Sequence, residues 1–332
     1  MTHKPVVVLT HHLLPAVQRD LESRWNLILV EGGERNLTQV LPVHHEARGL
    51  ISFLSEPITL EVIKSAPNLE IIANYAVGYN NIDVEAAIEK GIWVTHTPDV
   101  LTAATADQTM ALLLAVARRV VEGDRLVRAG GFDGWASDLM LGRELSGAIL
   151  GIVGMGRIGT AVAQRAQAFG MRVIYHSRSR KPELEKERGY RFVQFAELAE
   201  SADIISLHLP YSSKVHHLID QSVLARMKPD AMLINVARGP LVDEAALARR
   251  LQEGGIGGAG LDVYEHEPHV NPLLKTLDNV VLAPHSGSAT VHTRTQMGRM
   301  VEDSVVAALA GNRPPHLVAE WRQREPEPGP RV

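Results

Sequence analysis

The chain has 332 residues, 45% of them hydrophobic and 22% charged, with a formal net charge of −4 and no cysteine. That length is large for one hydrophobic core, so two domains are expected. The charge balance, with no long basic block, argues against nucleic acid as a partner, and no apolar run is long enough to span a membrane. The missing cysteines exclude disulfides and thiol chemistry; with no signal peptide at the start, a cytoplasmic location is expected.

Val6 to Leu9 is a β-branched run and reads as a buried strand, and Leu14 to Arg24 has helical periodicity. Arg48 to Leu54 is a second apolar run, and Thr59 to Ser65 reads as a helix that Pro67 stops. Glu70 to Ala76 is a strand running into Val77-Gly78-Tyr79-Asn80. Val84 to Lys90 is a helix closed by Gly91, and Ile92 to Thr95 a strand stopped at Thr97-Pro98. This alternation makes a parallel α/β unit. It has no phosphate-binding glycine pattern of its own, so it is expected to be the substrate-side domain. Thr102 to Arg128 then reads as one long helix, with Gly123 as its candidate kink or break. It is apolar on several faces and needs cover, from the other domain or from a second copy. A loop over Gly130 to Trp135 carries a large aromatic residue.

Next comes Gly151-Ile152-Val153-Gly154-Met155-Gly156-Arg157-Ile158-Gly159. An apolar strand, Ala148 to Val153, enters this stretch, a helix over Thr160 to Phe169 leaves it, and a second strand, Met171 to His176, follows. Gly154, Gly156 and Gly159 stand in G-x-G-x-x-G spacing, which three structural glycines in a turn could also produce. The surrounding strand, helix and strand favour a dinucleotide site. Gly154 would permit the turn, Gly156 let the backbone approach a pyrophosphate, and Gly159 pack the helix on the strand. Amides at the helix start, around Met155, Arg157 and Ile158, would face the phosphates. An NAD site usually has an acid about twenty residues past the glycines, at the end of the second strand. Here the chain reads His176-Ser177-Arg178-Ser179-Arg180-Lys181. Ser177, Arg178 and Ser179 suit a 2′-phosphate, so NADP(H) is expected over NAD(H), which stays possible; the bland alternative is a solvated basic turn.

Four further strands follow, Ala202 to Leu207, Ala231 to Val236, Gly258 to Val263 and Val280 to Ala283. Their ends carry His208-Leu209-Pro210, Ala237-Arg238-Gly239, Glu265-His266-Glu267 and Pro284-His285-Ser286-Gly287. Ligands of open parallel sheets bind past such ends. Leu209, Pro210 and Gly287 are therefore candidate cofactor contacts. Arg238, Glu267 and His285 suit reduction of a 2-keto acid: a guanidinium to hold the carboxylate, an imidazole to protonate the forming alkoxide, and a carboxylate to favour the charged imidazole. Taken singly, each has a structural reading: a surface ion pair, a turn acid, a structural histidine. A last long helical pattern spans Ala289 to Ala310, and Glu325 to Val332 reads as a disordered tail.

Several stretches together resemble the D-isomer-specific 2-hydroxyacid dehydrogenases, and among them the glyoxylate/hydroxypyruvate reductase branch. They are Ala73 to Tyr79, Thr97 to Thr102, the glycine loop, Ser177 to Lys181, Ile234 to Gly239, Gly260 to Val263 and Pro284 to Ala289. The resemblance implies two Rossmann-like domains. One is a flavodoxin-like, discontinuous substrate domain over 1–100 plus 285–332, the other a doubly wound NAD(P)-binding domain over 101–284, with hinges near Leu101 and Pro284. It implies that Arg238, Glu267 and His285 are catalytic and that Asp262 holds the nicotinamide carboxamide. It also implies that Val236, Ala237 and Thr105 lie against the cofactor and that Val77 and Gly78 offer amides to the substrate carboxylate. Leu54 is expected to help set pocket width. Family members are commonly homodimers, with the long helix and the Trp135 loop at the interface. Ser286 departs from the family, which has an aliphatic residue beside the histidine.

Among relatives, a formate dehydrogenase would have glutamine in place of Glu267, and a phosphite dehydrogenase lysine in place of Val77. A corepressor of this fold would bind the dinucleotide without turnover and would carry partner-binding extensions not seen here. The adjacent pairs His11-His12, His44-His45 and His216-His217 lack a third ligand at helical spacing, and neighbouring side chains on a strand diverge. No metal site is expected.

Overall fold

The computed structural model describes residues 4–30 and 37–323. The tail expected over Glu325 to Val332 lies outside them. The chain divides into two compact units, Met1–Leu101 with Ser288–Val332, and Thr102–Gly287. The sequence boundary at 284/285 therefore moves, and His285, Ser286 and Gly287 belong with the second unit. The reason is local: the His285 amide donates to the Asp262 carbonyl at 2.8 Å, and the Ser286 and Gly287 amides to the Asp262 carboxylate, each at 2.7 Å.

In the first unit the described strands are β1 (Val6–Leu9), β2 (Asn26–Leu29), β3 (Ala47–Ser52), β4 (Ile71–Asn74) and β5 (Trp93–Thr95). All pairs are parallel, in the order β2-β1-β3-β4-β5, the flavodoxin-like arrangement. β2 and the helix Leu37–Val43 have no counterpart in the sequence reading. β2 is an edge strand with only partly buried residues, so its pattern is weak. Two helix starts are fixed by side-chain caps: Thr59 Oγ1 accepts from the Val62 amide and Asp83 Oδ1 from the Ala86 amide.

The second unit has β6 (Ile149–Val153), β7 (Arg172–His176), β8 (Arg191–Phe192), β9 (Ile204–Leu207), β10 (Met232–Asn235), β11 (Gly258–Leu261) and β12 (Val280–Leu282). They form one parallel sheet, β12-β11-β10-β9-β6-β7-β8, wound outward in both directions from β6 and β9. Alternate residues feed opposite faces, as the two-residue period of a strand requires. Ile204 and Ile234 enter one core cluster, Ile205 and Leu233 the other. Such strands, covered on both sides, read as unbroken apolar runs, which is why six were visible in sequence; the two-residue edge strand β8 has no counterpart there.

The single helix expected over Thr102 to Arg128 is two helices, Thr102–Ala117 and Val120–Arg128. The break falls at Arg119, with φ +55°, and Gly123 lies inside the second helix. The Arg143 amide takes the Ala117 carbonyl at 2.7 Å and ends the first helix there. That first helix finds its cover within its own unit, through Ala106, Met110, Leu112 and Leu113 against the sheet. The second helix buries nothing and leaves Val120 and Val127 exposed, followed by Phe132, Trp135 and Leu141.

Candidate active site

The sheet reverses its winding between β6 and β9, and their ends are where Gly154 and His208 meet. Gly154 has φ +101°, and a Cβ on it would lie 2.6 Å from the His208 carbonyl oxygen and 2.9 Å from Leu209. A Cβ on Gly159 would lie 2.2 Å from the Gly154 carbonyl oxygen. Both positions therefore exclude side chains for packing reasons. Gly156 differs: a Cβ there would meet no atom within 4 Å. Its backbone borders open space at the start of the helix Arg157–Ala168, where the first-turn amides and the positive end of the helix dipole point outward. That cradle fits a dinucleotide pyrophosphate. Past β7 the chain turns through Ser177, whose hydroxyl donates to the Ser179 carbonyl at 2.6 Å, and Arg178 is exposed. Arg180 is held apart from this turn by Glu185 and by the Phe192 ring.

Three strand ends bring the expected catalytic residues together. His285 Nδ1 lies 2.8 Å from Glu267 Oε2. Arg238 stands close enough to Glu267 for each charge to favour the other's ionised form. Burial alone would raise the Glu267 carboxyl above its ordinary range. The hydrogen bond and charge of His285, the Tyr264 amide at 3.0 Å and Arg238 outweigh it and hold the group below that range. Burial lowers Arg238 from its ordinary value, and Glu267 opposes that. The Arg238 turn is braced by Asn235, buried, whose side chain accepts from the Ala237 amide at 3.0 Å and donates to the Arg238 carbonyl at 2.9 Å.

His285 has φ +52°, a conformation that non-glycine residues rarely adopt and that costs about 1–3 kcal/mol. The two amide bonds to the Asp262 carboxylate contribute roughly 1.5–3 kcal/mol each, so they offset this strain. Asp262 is 1% exposed. Three of the carboxylate's about four acceptor positions are taken, by the Ser286 amide, the Ser286 hydroxyl and the Gly287 amide. Thr105 is buried beside Gly287. Val236 and Ala237 are buried at the end of β10.

In the first unit, Val77, Gly78 and Tyr79 follow β4. Carbonyls are tied back here in series: Ala76 O to the Thr97 amide at 2.8 Å, Val77 O to His96 Nδ1 at 2.9 Å, and Gly78 O to Asn74 Nδ2 at 2.8 Å. Among the described residues, the amides of Val77, Gly78 and Tyr79 donate to no protein group. A row of such amides is an anion-binding concavity. Leu54 is half-buried in the loop after β3. That loop is fixed by Glu56, 4% exposed, which accepts from the Phe53 amide and from Thr10 at the end of β1, both at 2.9 Å.

The D-isomer-specific 2-hydroxyacid dehydrogenase NAD-binding domain model matches residues 110–287, more than half of the chain. The chain belongs to that family. Within it the dehydrogenase falls in the glyoxylate reductase branch. It is 51% identical over 277 residues to a glyoxylate reductase of Thermococcus litoralis, covering 82% of this chain and 84% of that one. It is 46% identical over 321 residues to one of Pyrococcus horikoshii, covering 95% and 96%. A solved NADPH-dependent glyoxylate/hydroxypyruvate reductase from Sinorhizobium meliloti, in complex with NADP and malonate, has a TM-score of 0.87 and 33% identity, covering 98% and 99%.

Two features of this dehydrogenase were not legible as family traits. Ser286, the departure beside the histidine, is satisfied: its hydroxyl accepts from Gln108 at 3.2 Å and donates to Asp262 at 3.1 Å. The histidine pair His216-His217 does not diverge. His217 has φ +49°, the rings stack 3.9 Å apart, and Glu265 is a third group of ligand type beside them, the three ligand atoms lying within 4.8 Å of one another. This corrects the divergence expected of the two rings; Glu265 lies 48 residues along the chain from His217, outside the helical spacing that the sequence reading considered. His217 Nε2 is already engaged by Glu265 at 2.6 Å, and stacked rings do not converge on one point. The sequence reading gave no role to His208, a half-buried residue whose imidazole is pushed down to about 3 by desolvation and lies 2.8 Å from the Ser206 hydroxyl.

The depressed Glu267 carboxyl sets a pH dependence. Its pairing stabilises fully above the pH where a free glutamate ionises, about 4.3, and is lost as pH falls through its own lower value. Glu267→Gln should therefore flatten the acid limb of Tm against pH. Melts from pH 3 to 6 that fall equally steeply in both proteins would contradict this.

Proposed function

We propose that the protein reduces glyoxylate and hydroxypyruvate to the corresponding 2-hydroxy acids, using NADPH in preference to NADH. The observation that carries this reading is the His285–Glu267 pair at 2.8 Å beside Arg238, on strand ends next to a glycine turn open at Gly156. The bound dinucleotide, held by the turn from Gly154 to Gly159, the Ser177–Arg178–Ser179 turn, Thr105, Leu209, Pro210, Val236, Ala237, Asp262 and Gly287, supplies the hydride. His285 delivers the proton to the forming alkoxide, and Glu267 orients its ring and favours its charged form. Arg238 and the Val77 and Gly78 amides hold the substrate carboxylate. Leu54 limits the substituent on the keto carbon. Cofactor preference is supported by the missing acid at the end of β7 and by the exposed Arg178. The Sinorhizobium meliloti relative solved with NADP is described as NADPH-dependent. We also propose a homodimer, in which the apolar side chains of Val120, Val127, Phe132 and Trp135 are covered by a second copy.

Initial rates with glyoxylate at equal subsaturating NADPH and NADH test the cofactor reading; faster turnover with NADH would overturn it while leaving the reaction class intact. His285→Ala should lower kcat by about 10²–10⁴-fold, and near-normal turnover would reject the proton-donor role. Sedimentation should give twice the monomer mass at micromolar protein, and Trp135→Ser should shift the profile toward monomer. A wild-type monomer at that concentration would end the dimer proposal.

A further inference from the structure

The anion concavity after β4 depends on which way its peptide planes face. Val77 C=O and Gly78 N–H belong to one planar trans peptide, so they point to opposite sides. Whatever fixes the carbonyl also aims the amide. His96 Nδ1 lies 2.9 Å from that carbonyl. A carbonyl only accepts, so Nδ1 carries the proton and the ring donates.

The surroundings give His96 little else to do. His96 is 9% exposed, and its ring meets that of Tyr79 edge to face, with centroids 5.3 Å apart and planes at 82°. Tyr79 is itself anchored through its hydroxyl to Glu320 Oε2 at 3.1 Å. The His96 amide donates to the His316 carbonyl at 3.0 Å, so its backbone is fixed. Among the described residues Nε2 reaches no partner. Burial lowers the imidazole from its ordinary value despite the Val77 carbonyl, which favours the charged form. A buried, unpartnered ring nitrogen is costly, and an apolar residue of similar bulk would avoid that cost. Histidine here is explained by its Nδ1–H.

Granted that these amides hold the substrate carboxylate, as proposed above, we infer that His96 is a positioning residue: its bond to the Val77 carbonyl aims the Gly78 amide at the carboxylate. Asn74 and the Thr97 amide do the same for the neighbouring peptides, whose amide ends are Tyr79 and Val77. His96 touches neither substrate nor cofactor in this scheme. Its loss weakens binding of ground state and transition state alike, which appears in KM and not in kcat.

The test is steady-state kinetics with glyoxylate and NADPH, alongside thermal melts. His96→Leu keeps bulk and removes the donor. The KM for glyoxylate should rise at least about fivefold with kcat within about twofold and the KM for NADPH unchanged. His96→Asn should restore the glyoxylate KM, because Asn Nδ2 stands the same number of bonds from Cα as His Nδ1. Where leucine does not fold, His96→Ala against His96→Asn makes the same comparison. A donor-less variant with wild-type KM, or an asparagine variant no better than it, overturns the role of His96. Gly78→Pro separates the two layers of the reading by deleting the amide itself. If proline raises KM and the donor-less variant does not, only His96 is excluded; if neither raises it, the carboxylate reading fails with it.

Discussion

Two amide hydrogen bonds into one buried carboxylate hold the end of β12 in place. Asp262, at the end of β11, receives the Ser286 and Gly287 amides at 2.7 Å each, and its carbonyl receives the His285 amide. Those bonds keep His285 at positive φ, from where its ring reaches Glu267. Glu267 in turn feels Arg238, which Asn235 steadies from the end of β10. Removing the Asp262 carboxylate would strand the buried Gly287 amide and the half-buried Ser286 amide and release the strain at His285 together. The groups proposed to react are thus spread over the ends of three neighbouring strands, and the Asp262 side chain keeps the one at positive φ in position.

Parallel strands explain why this works. Adjacent strands in a parallel sheet end on the same side, so β10, β11 and β12 deliver Arg238, Asp262 with Glu267, and His285 to one edge. The same geometry places the glycine turn after β6 beside the end of β9. In the first unit the loops after β3 and β4 are likewise neighbours, and Asn81 links them through bonds to the Phe53 and Glu56 carbonyls.

Strand positions and the glycine turn were legible because buried parallel strands are continuous apolar runs and because three glycines at fixed spacing have separate steric reasons. Arg238, Glu267 and His285 could be named from their places past strand ends. What escaped was whatever depends on a local dihedral or on a contact between distant residues. Arg119, not the helix-breaking Gly123, ends a helix, because the decisive partner is the amide of Arg143, far along the chain. His216 and His217 stack because one residue takes positive φ, which no periodicity announces. Ser286, noticed only as a departure from an aliphatic residue, is a hydrogen-bonding link between Gln108 and Asp262.

The row of amides after β4 has a property that no cationic side chain shares. A peptide N–H neither gains nor loses its proton over the ordinary pH range, so its own readiness to donate to a carboxylate does not change with pH. Nor does it depend on which side chain stands at Val77, since every residue but proline brings the same amide. Point substitution can alter the aim of such a site only through the groups behind it, such as Asn74 and His96. Substitutions in this part of the chain therefore reach the anion through the bracing side chains, while the anion-facing surface stays chemically constant.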